Sequence, residues 1–226
     1  MKALLLAIAL IMQNPPSPNR GDEDPNTVFR PERTLSPAHD LYYEDSAPPT
    51  AEARAAIQAF GACVADRAAV VARDVLSRDF TSRSYDRGLE RLASSHDDCF
   101  RQRGTMRSGN LLFAGAIAER LIERDAEPLN ARLARAALRP ASRPYSPTDQ
   151  AAICVVRSVP DDVARLFETD VASDAETAAS QSLNPVMSAC AGGRPIEVTS
   201  AGLRSVLATA ALRELNVTTD QAEARR

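Results

Sequence analysis

Four cysteines, at 63, 99, 154 and 190, are the residues of this 226-residue chain whose type and spacing point most directly to chemistry. They form two equally spaced pairs, and no C-x-x-C occurs, so neither a dithiol exchange motif nor a zinc-knuckle spacing is present. His96-Asp97-Asp98-Cys99 offers metal-ligand types in one run. The matching run in the second half is Met187-Ser188-Ala189-Cys190, so only the cysteine recurs. No metal and no cofactor is expected.

Catalytic patterns are scarce. The only histidines are His39 and His96, and there is no G-x-S-x-G, P-loop or H-E-x-x-H. The chain has 30 carboxylates, but no spacing singles out an acid/base pair, so no catalytic residue is named. Arg103 and Arg194, each four residues after the second cysteine of its pair, are the candidate binding residues. A guanidinium there suits an anion or carboxylate near a helix N-terminus; the alternative is an ion pair within the same half.

A shift of 91 residues places Cys63 on Cys154 and Cys99 on Cys190 without a gap. The same shift superposes Leu92 on Leu183, Arg103 on Arg194, Leu112 on Leu203 and Leu121 on Leu212. The expectation is a duplicated unit. Four cysteines allow three pairings, and duplication favours Cys63–Cys99 with Cys154–Cys190. Each closes a loop worth about 3–4 kcal/mol in the chain-entropy model.

The elements that must hold these residues read as helices. The composition is 44% hydrophobic but only 4% aromatic, with alanine, the best helix former, abundant. Thr50 is an N-cap before the stripe Ile57, Phe60, Val64, Val71 and Val75, with a break expected near Asp66. Ser84 opens the next helix, and in the second half Ser173-Asp174-Ala175-Glu176 has the capping-box form. Pro160 suits a helix first turn. Thr105–Arg107 and Ile196–Val198 read as short extended pieces, followed by Ser108 or Thr199 as caps of a last helix. Within Ala114-Gly115-Ala116 the small residues allow close approach of another helix.

Residues 1–13 read as a signal peptide, with Lys2 before an apolar run too short to span a membrane. Residues 14–49 are Pro-rich and read as disordered, with a Leu41-Tyr42-Tyr43 cluster able to dock. Residues 50–127 form helical repeat 1 and 128–147 a connector helix with a Pro-rich joint. Residues 148–216 form repeat 2, and 217–226 a disordered tail. Charge is uneven: residues 13–50 carry three arginines against seven acids (−4), and residues 51–140 carry 15 against 12 (+3). Net charge is −3, which offers no basis for nucleic-acid binding.

Cys154-Val155-Val156-Arg157, followed by Pro160, Cys190, Pro195-Ile196-Glu197-Val198 and Leu203-Arg204, is similar to a group of functionally uncharacterised small exported bacterial proteins. These carry duplicated two-Cys helical units with a C-V-V-R start. The first half departs from the pattern, with Ala65-Asp66 for Val156-Arg157 and no equivalent proline. The resemblance implies export and a helical, disulfide-bonded fold, and it transfers no activity.

The expected fold is mainly α: two tandem disulfide-stapled repeats of three to four helices, each with a short extended piece before its last helix. The expected role is an exported, periplasmic or secreted binding or envelope-interaction protein whose partner is a protein or envelope component. No transmembrane span is expected in the mature chain. The alternatives are an envelope hydrolase using carboxylates and a small-ligand carrier with a cavity between the repeats.

Overall fold

Thr50 starts the first helix as expected, its Oγ1 accepting from the Ala53 N–H at 3.2 Å. The computed structural model describes residues 29–31, 49–100, 106–194, 196 and 198–217. The expected signal peptide, Leu41–Tyr43, Arg103 and most of the C-terminal tail lie outside the described residues.

Helix α1 (Ala51–Arg67) turns sharply at Ala68 into α2 (Ala69–Leu76), two residues past the expected break. Helix α3 (Arg83–Ser94) is capped by Ser82, not Ser84: the Ser82 hydroxyl accepts from Tyr85 N–H, and Ser84 lies inside the first turn. A single 3-10 turn, Asp97–Cys99, brings Cys99 to Cys63. Strand β2 (Met106–Ser108) precedes α4 (Asn110–Glu123). Gly109, rather than Ser108, occupies the N-cap of α4 and makes no side-chain cap bond. Strand β2 pairs in parallel with β1 (Phe29–Pro31), Arg30 standing opposite Arg107.

Helix α5 (Leu129–Ala136) starts after Pro128, as the sequence predicts. Then follow α6 (Pro147–Ser158), α7 (Pro160–Phe167), α8 (Asp174–Cys190) and α9 (Ser200–Asn216). The 91-residue shift carries Ala69–Leu76 onto Pro160–Phe167 end to end, and Arg83 onto Asp174 at the two helix starts. The halves differ beyond that. Where α3 stops at Ser94, α8 runs on through Pro185 to its own cysteine. Among the described residues, Ile196 and Val198 are not in a strand, so the extended piece expected there has no ladder.

Both disulfides are formed within their halves, Cys63–Cys99 and Cys154–Cys190, each with Cα atoms 5.7 Å apart. One continuous apolar cluster draws on both halves, from Phe60, Leu89 and Phe113 to Leu166, Leu183 and Leu207. Its centre is the crossing of α4 with α9, flanked by α1 and α6. Gly115 makes that crossing possible: a Cβ there would lie 2.6 Å from Ser205 Cα. Gly61 does the same for α1 against α4, where a Cβ would fall 2.5 Å from Ala116 Cβ.

Candidate functional site

The polar centre of the molecule is built on α9, whose stretch Ala201–Leu212 is almost entirely buried. Arg204 projects from that apolar run with 4% exposure. Its Nε donates to Glu119 Oε2 at 2.8 Å, and its Nη2 donates to Glu119 Oε1 and to the Phe167 carbonyl. Nη1 donates to Thr169 Oγ1 at 3.0 Å and to Glu176 Oε1 at 3.4 Å. Every nitrogen of the guanidinium is engaged, which is the condition for burying such a charge without a large penalty.

Glu176 completes the cluster, fully buried at the N-terminus of α8. Its backbone N–H donates to Ser173 Oγ as in a capping box, but the return bond is shifted by one residue. Glu176 Oε2 accepts from Ala172 N–H at 2.9 Å, Ala172 taking a left-handed φ of 63°. The other oxygen accepts from Arg54 Nη2 at 2.7 Å. Burial by itself raises the Glu176 carboxyl, but Arg54, Ala172 N–H and Arg204 outweigh it and hold the group below its ordinary value. Four elements (α1, α4, α8 and α9) thus meet at one ionic knot. A cleft of about 20 Å³ opens beside it, between Arg54, Gln58, Gly115, Glu119, Arg204 and Ser205. That is room for a single water.

A second knot ties the other end of α9 to the connector. Arg213 pairs with Asp149, donates to the Arg143 carbonyl and lies 5.3 Å over the Tyr145 ring. Arg157, the last residue of the C-V-V-R run, donates to Glu214 Oε2 at 2.6 Å and to the carbonyls of Ala136, Ala137 and Arg139. It therefore closes the C-terminal end of α5, where free carbonyls and the negative helix end favour a cation. Glu214 also accepts from the Ser142 N–H at 2.7 Å.

The candidates named from the sequence are dispersed. Arg194 is exposed, its Nε donating to the Ala191 carbonyl at 3.1 Å just past α8. Arg103 lies outside the described residues. His96 is partly buried, and its Nδ1 meets the Leu92 carbonyl at 2.9 Å, closing the end of α3. Among the described residues no cluster of three or more His, Cys, Asp or Glu could hold a metal. The sequence reading missed Arg204, Glu119 and Glu176 as a unit. The available signal was a lone charge inside an apolar helical run, as in Leu203-Arg204-Ser205-Val206 and Ala116-Ile117-Ala118-Glu119.

On the outside, Val70 and Val71 are 83% and 56% exposed at the α1–α2 corner, where the 91-residue shift finds Asp161 and Asp162. Among the described residues no single helix is long and apolar enough to cross a membrane. The two disulfides suggest an oxidising, extracellular-type compartment. Comparison with known protein families, characterised proteins and solved structures gives no match.

Proposed function

We propose that this is an exported, periplasmic or secreted binding or envelope-interaction protein without catalytic activity, built from a duplicated helical unit. The observation that carries the reading is the commitment of the buried carboxylates. Glu119, Asp149, Glu176 and Glu214 each bind a guanidinium, and three of them also bind or bracket backbone groups at element ends. A carboxylate paired in this way is fixed in place by its guanidinium, as suits a role in holding helices together. These four carboxylates serve to hold helices together, which favours a structural and binding role over a hydrolytic one.

Duplication is supported by the coincident bounds of α2 with α7, by the shared starts of α3 and α8, and by the equal disulfide spans. Export is supported by the disulfides and by the short apolar run at residues 3–12. The cleft beside the α4–α9 crossing has room for one water rather than an organic ligand, so it does not support the carrier reading.

The test is a fractionated binding assay on the oxidised protein, using isolated envelope and released envelope polymers. Saturable binding that disappears on reduction of both disulfides is the expected result. Hydrolysis of any of those polymers, abolished by Glu119→Gln while the fold persists, would instead establish the enzyme reading.

A further inference from the structure

The two disulfides close loops of equal span, but their sulfurs stand in different surroundings. In the first, Cys99 is 6% exposed and belongs to the apolar core, while Cys63 is partly exposed. In the second, Cys154 and Cys190 are both partly exposed. Exposed residues also bracket Cys190, with Pro185 and Ala189 before it and Gly192, Gly193 and Arg194 after it. The two glycines take φ of 73° and 80° and fold the chain back over the end of α8, where Gly193 N–H donates to the Ser188 carbonyl.

Charge separates the two bridges as well. Cys99 directly follows Asp97 and Asp98, both exposed. Asp98 pairs with Arg67, and Asp97 has no ion-pair partner among the described residues. Around Cys190 no charged residue occurs from Thr177 to Gly193, and the first one after it is Arg194. The Arg194 Nε donates to the carbonyl of Ala191, the residue after Cys190, which holds the guanidinium at the carbonyl end of α8. A cation there offsets the negative helix end. An approaching thiolate is therefore repelled at Cys99 and attracted at Cys190.

The rate of thiol exchange depends also on the sulfur that leaves. Attack on Cys63 expels Cys99 as a thiolate into the core, where burial disfavours the charge. Attack on Cys190 expels Cys154, whose Sγ lies 4.0 Å from the Ser158 hydroxyl, a donor for the new anion. The residue matching Ser158 in the first half is Arg67, which is occupied by Asp98. It could assist Cys63 as leaving group only if the buried Cys99 were the sulfur attacked.

We propose that Cys154–Cys190 is a thiol-exchange site, attacked at Cys190 Sγ by an anionic thiol, and that Cys63–Cys99 is a lasting staple. The incoming thiolate bonds to Cys190 Sγ as the Cys154–Cys190 bond breaks. The electron pair leaves on Cys154 Sγ, which takes a proton from water. A second thiolate then displaces Cys190 from the mixed disulfide, so two external thiols are oxidised to one disulfide and the bridge is reduced to two thiols. A thiol partner opens the second half alone. The site goes beyond the envelope-binding reading and does not depend on it.

Timed reduction of the full-length oxidised chain under native conditions tests it, with freed thiols alkylated and mapped by mass. With dithiothreitol, Cys154 and Cys190 are expected to be labelled about tenfold faster than Cys63 and Cys99. Arg194→Glu is expected to slow opening by mercaptoethanesulfonate, an anionic thiol, about threefold relative to cysteamine, a cationic one. A purely structural effect of the substitution would alter both reagents alike. Equal labelling of the two bridges, or earlier labelling of Cys63 and Cys99, would overturn the site, as would an unchanged ratio of the two reagents in Arg194→Glu. None of these results alters the envelope-binding assay, so the two readings fail separately.

Discussion

Arg204 of α9 grips both oxygens of Glu119 on α4, with Nε to Oε2 at 2.8 Å, while neither residue is more than 4% exposed. The pair joins the two halves at the centre of the shared core. Breaking it from one side leaves a buried charge without its partner. Arg204→Met is expected to cost about 3–5 kcal/mol, because Glu119 is then stranded while Glu176 retains Arg54. Arg204→Met combined with Glu119→Leu is expected to recover most of that loss, since an apolar pair of similar volume needs no compensation. Urea unfolding of both singles and the double gives the coupling directly. Additive losses would mean that the pair is not a unit.

The glycines at the helix crossings separate backbone clashes from side-chain ones. Gly115→Ala would place its Cβ 2.6 Å from Ser205 Cα, and no substitution at Ser205 removes a Cα. A loss of about 1–3 kcal/mol is expected, unrelieved by Ser205→Gly. At Gly88 the obstacle is two methyl carbons of Val75, at 2.8 and 2.9 Å. Gly88→Ala is therefore expected to be rescued in part by Val75→Ala. Thermal unfolding of the four variants distinguishes the two cases.

Two glutamates pull the pH dependence in opposite directions. Glu176 is held below the ordinary glutamate value of 4.5 despite its burial. Its folded value is lower than its unfolded one, so its stabilisation is present above 4.5 and is lost as pH falls through the lowered value. Glu123 is raised above 4.5, chiefly by burial and also by Glu119 one turn earlier. Its contribution is full below 4.5 and is lost as pH rises through the raised value. Glu123→Gln is expected to remove that second loss, flattening the stability curve just above 4.5 and leaving the acid limb in place. Stability measured by denaturant across the acid and neutral range checks the sign. A curve unchanged on its rising-pH side would contradict the assignment.

Each disulfide closes a loop of the same length, 36 residues in separation. Cys63→Ala/Cys99→Ala and Cys154→Ala/Cys190→Ala are each expected to cost about 3–4 kcal/mol if the gain is chain entropy. The two losses are expected to be alike. A large difference would show that native packing around one bridge, not loop closure, sets its value. Non-reducing peptide mapping beforehand verifies that the untouched bridge stays intact.

Local structure was legible where the physics is local. Thr50, Ser173 and Thr199 cap the helices they were expected to cap, because a hydroxyl three residues before a free N–H needs no tertiary partner. The equal cysteine spacing carried the pairing. Ser84 was expected where Ser82 caps because several hydroxyls compete within one turn and the local pattern does not rank them; Ser108 gives way to Gly109 because Ser108 belongs to strand β2, whose pairing is not local.

The helical class, the two staples and the small residues of the α4–α9 crossing were all legible in the order of the amino acids. These follow from propensity, spacing and side-chain size, all of which act over a few residues or through a covalent bond. That the halves share one core, that Arg204 reaches Glu119 and Glu176, and that Arg157 closes α5 emerged only once the helices were packed. Those contacts join residues from 18 to 85 positions apart. Among so many arginines and carboxylates, charge alone does not choose partners; the crossing geometry set by Gly115 and Ser205 does.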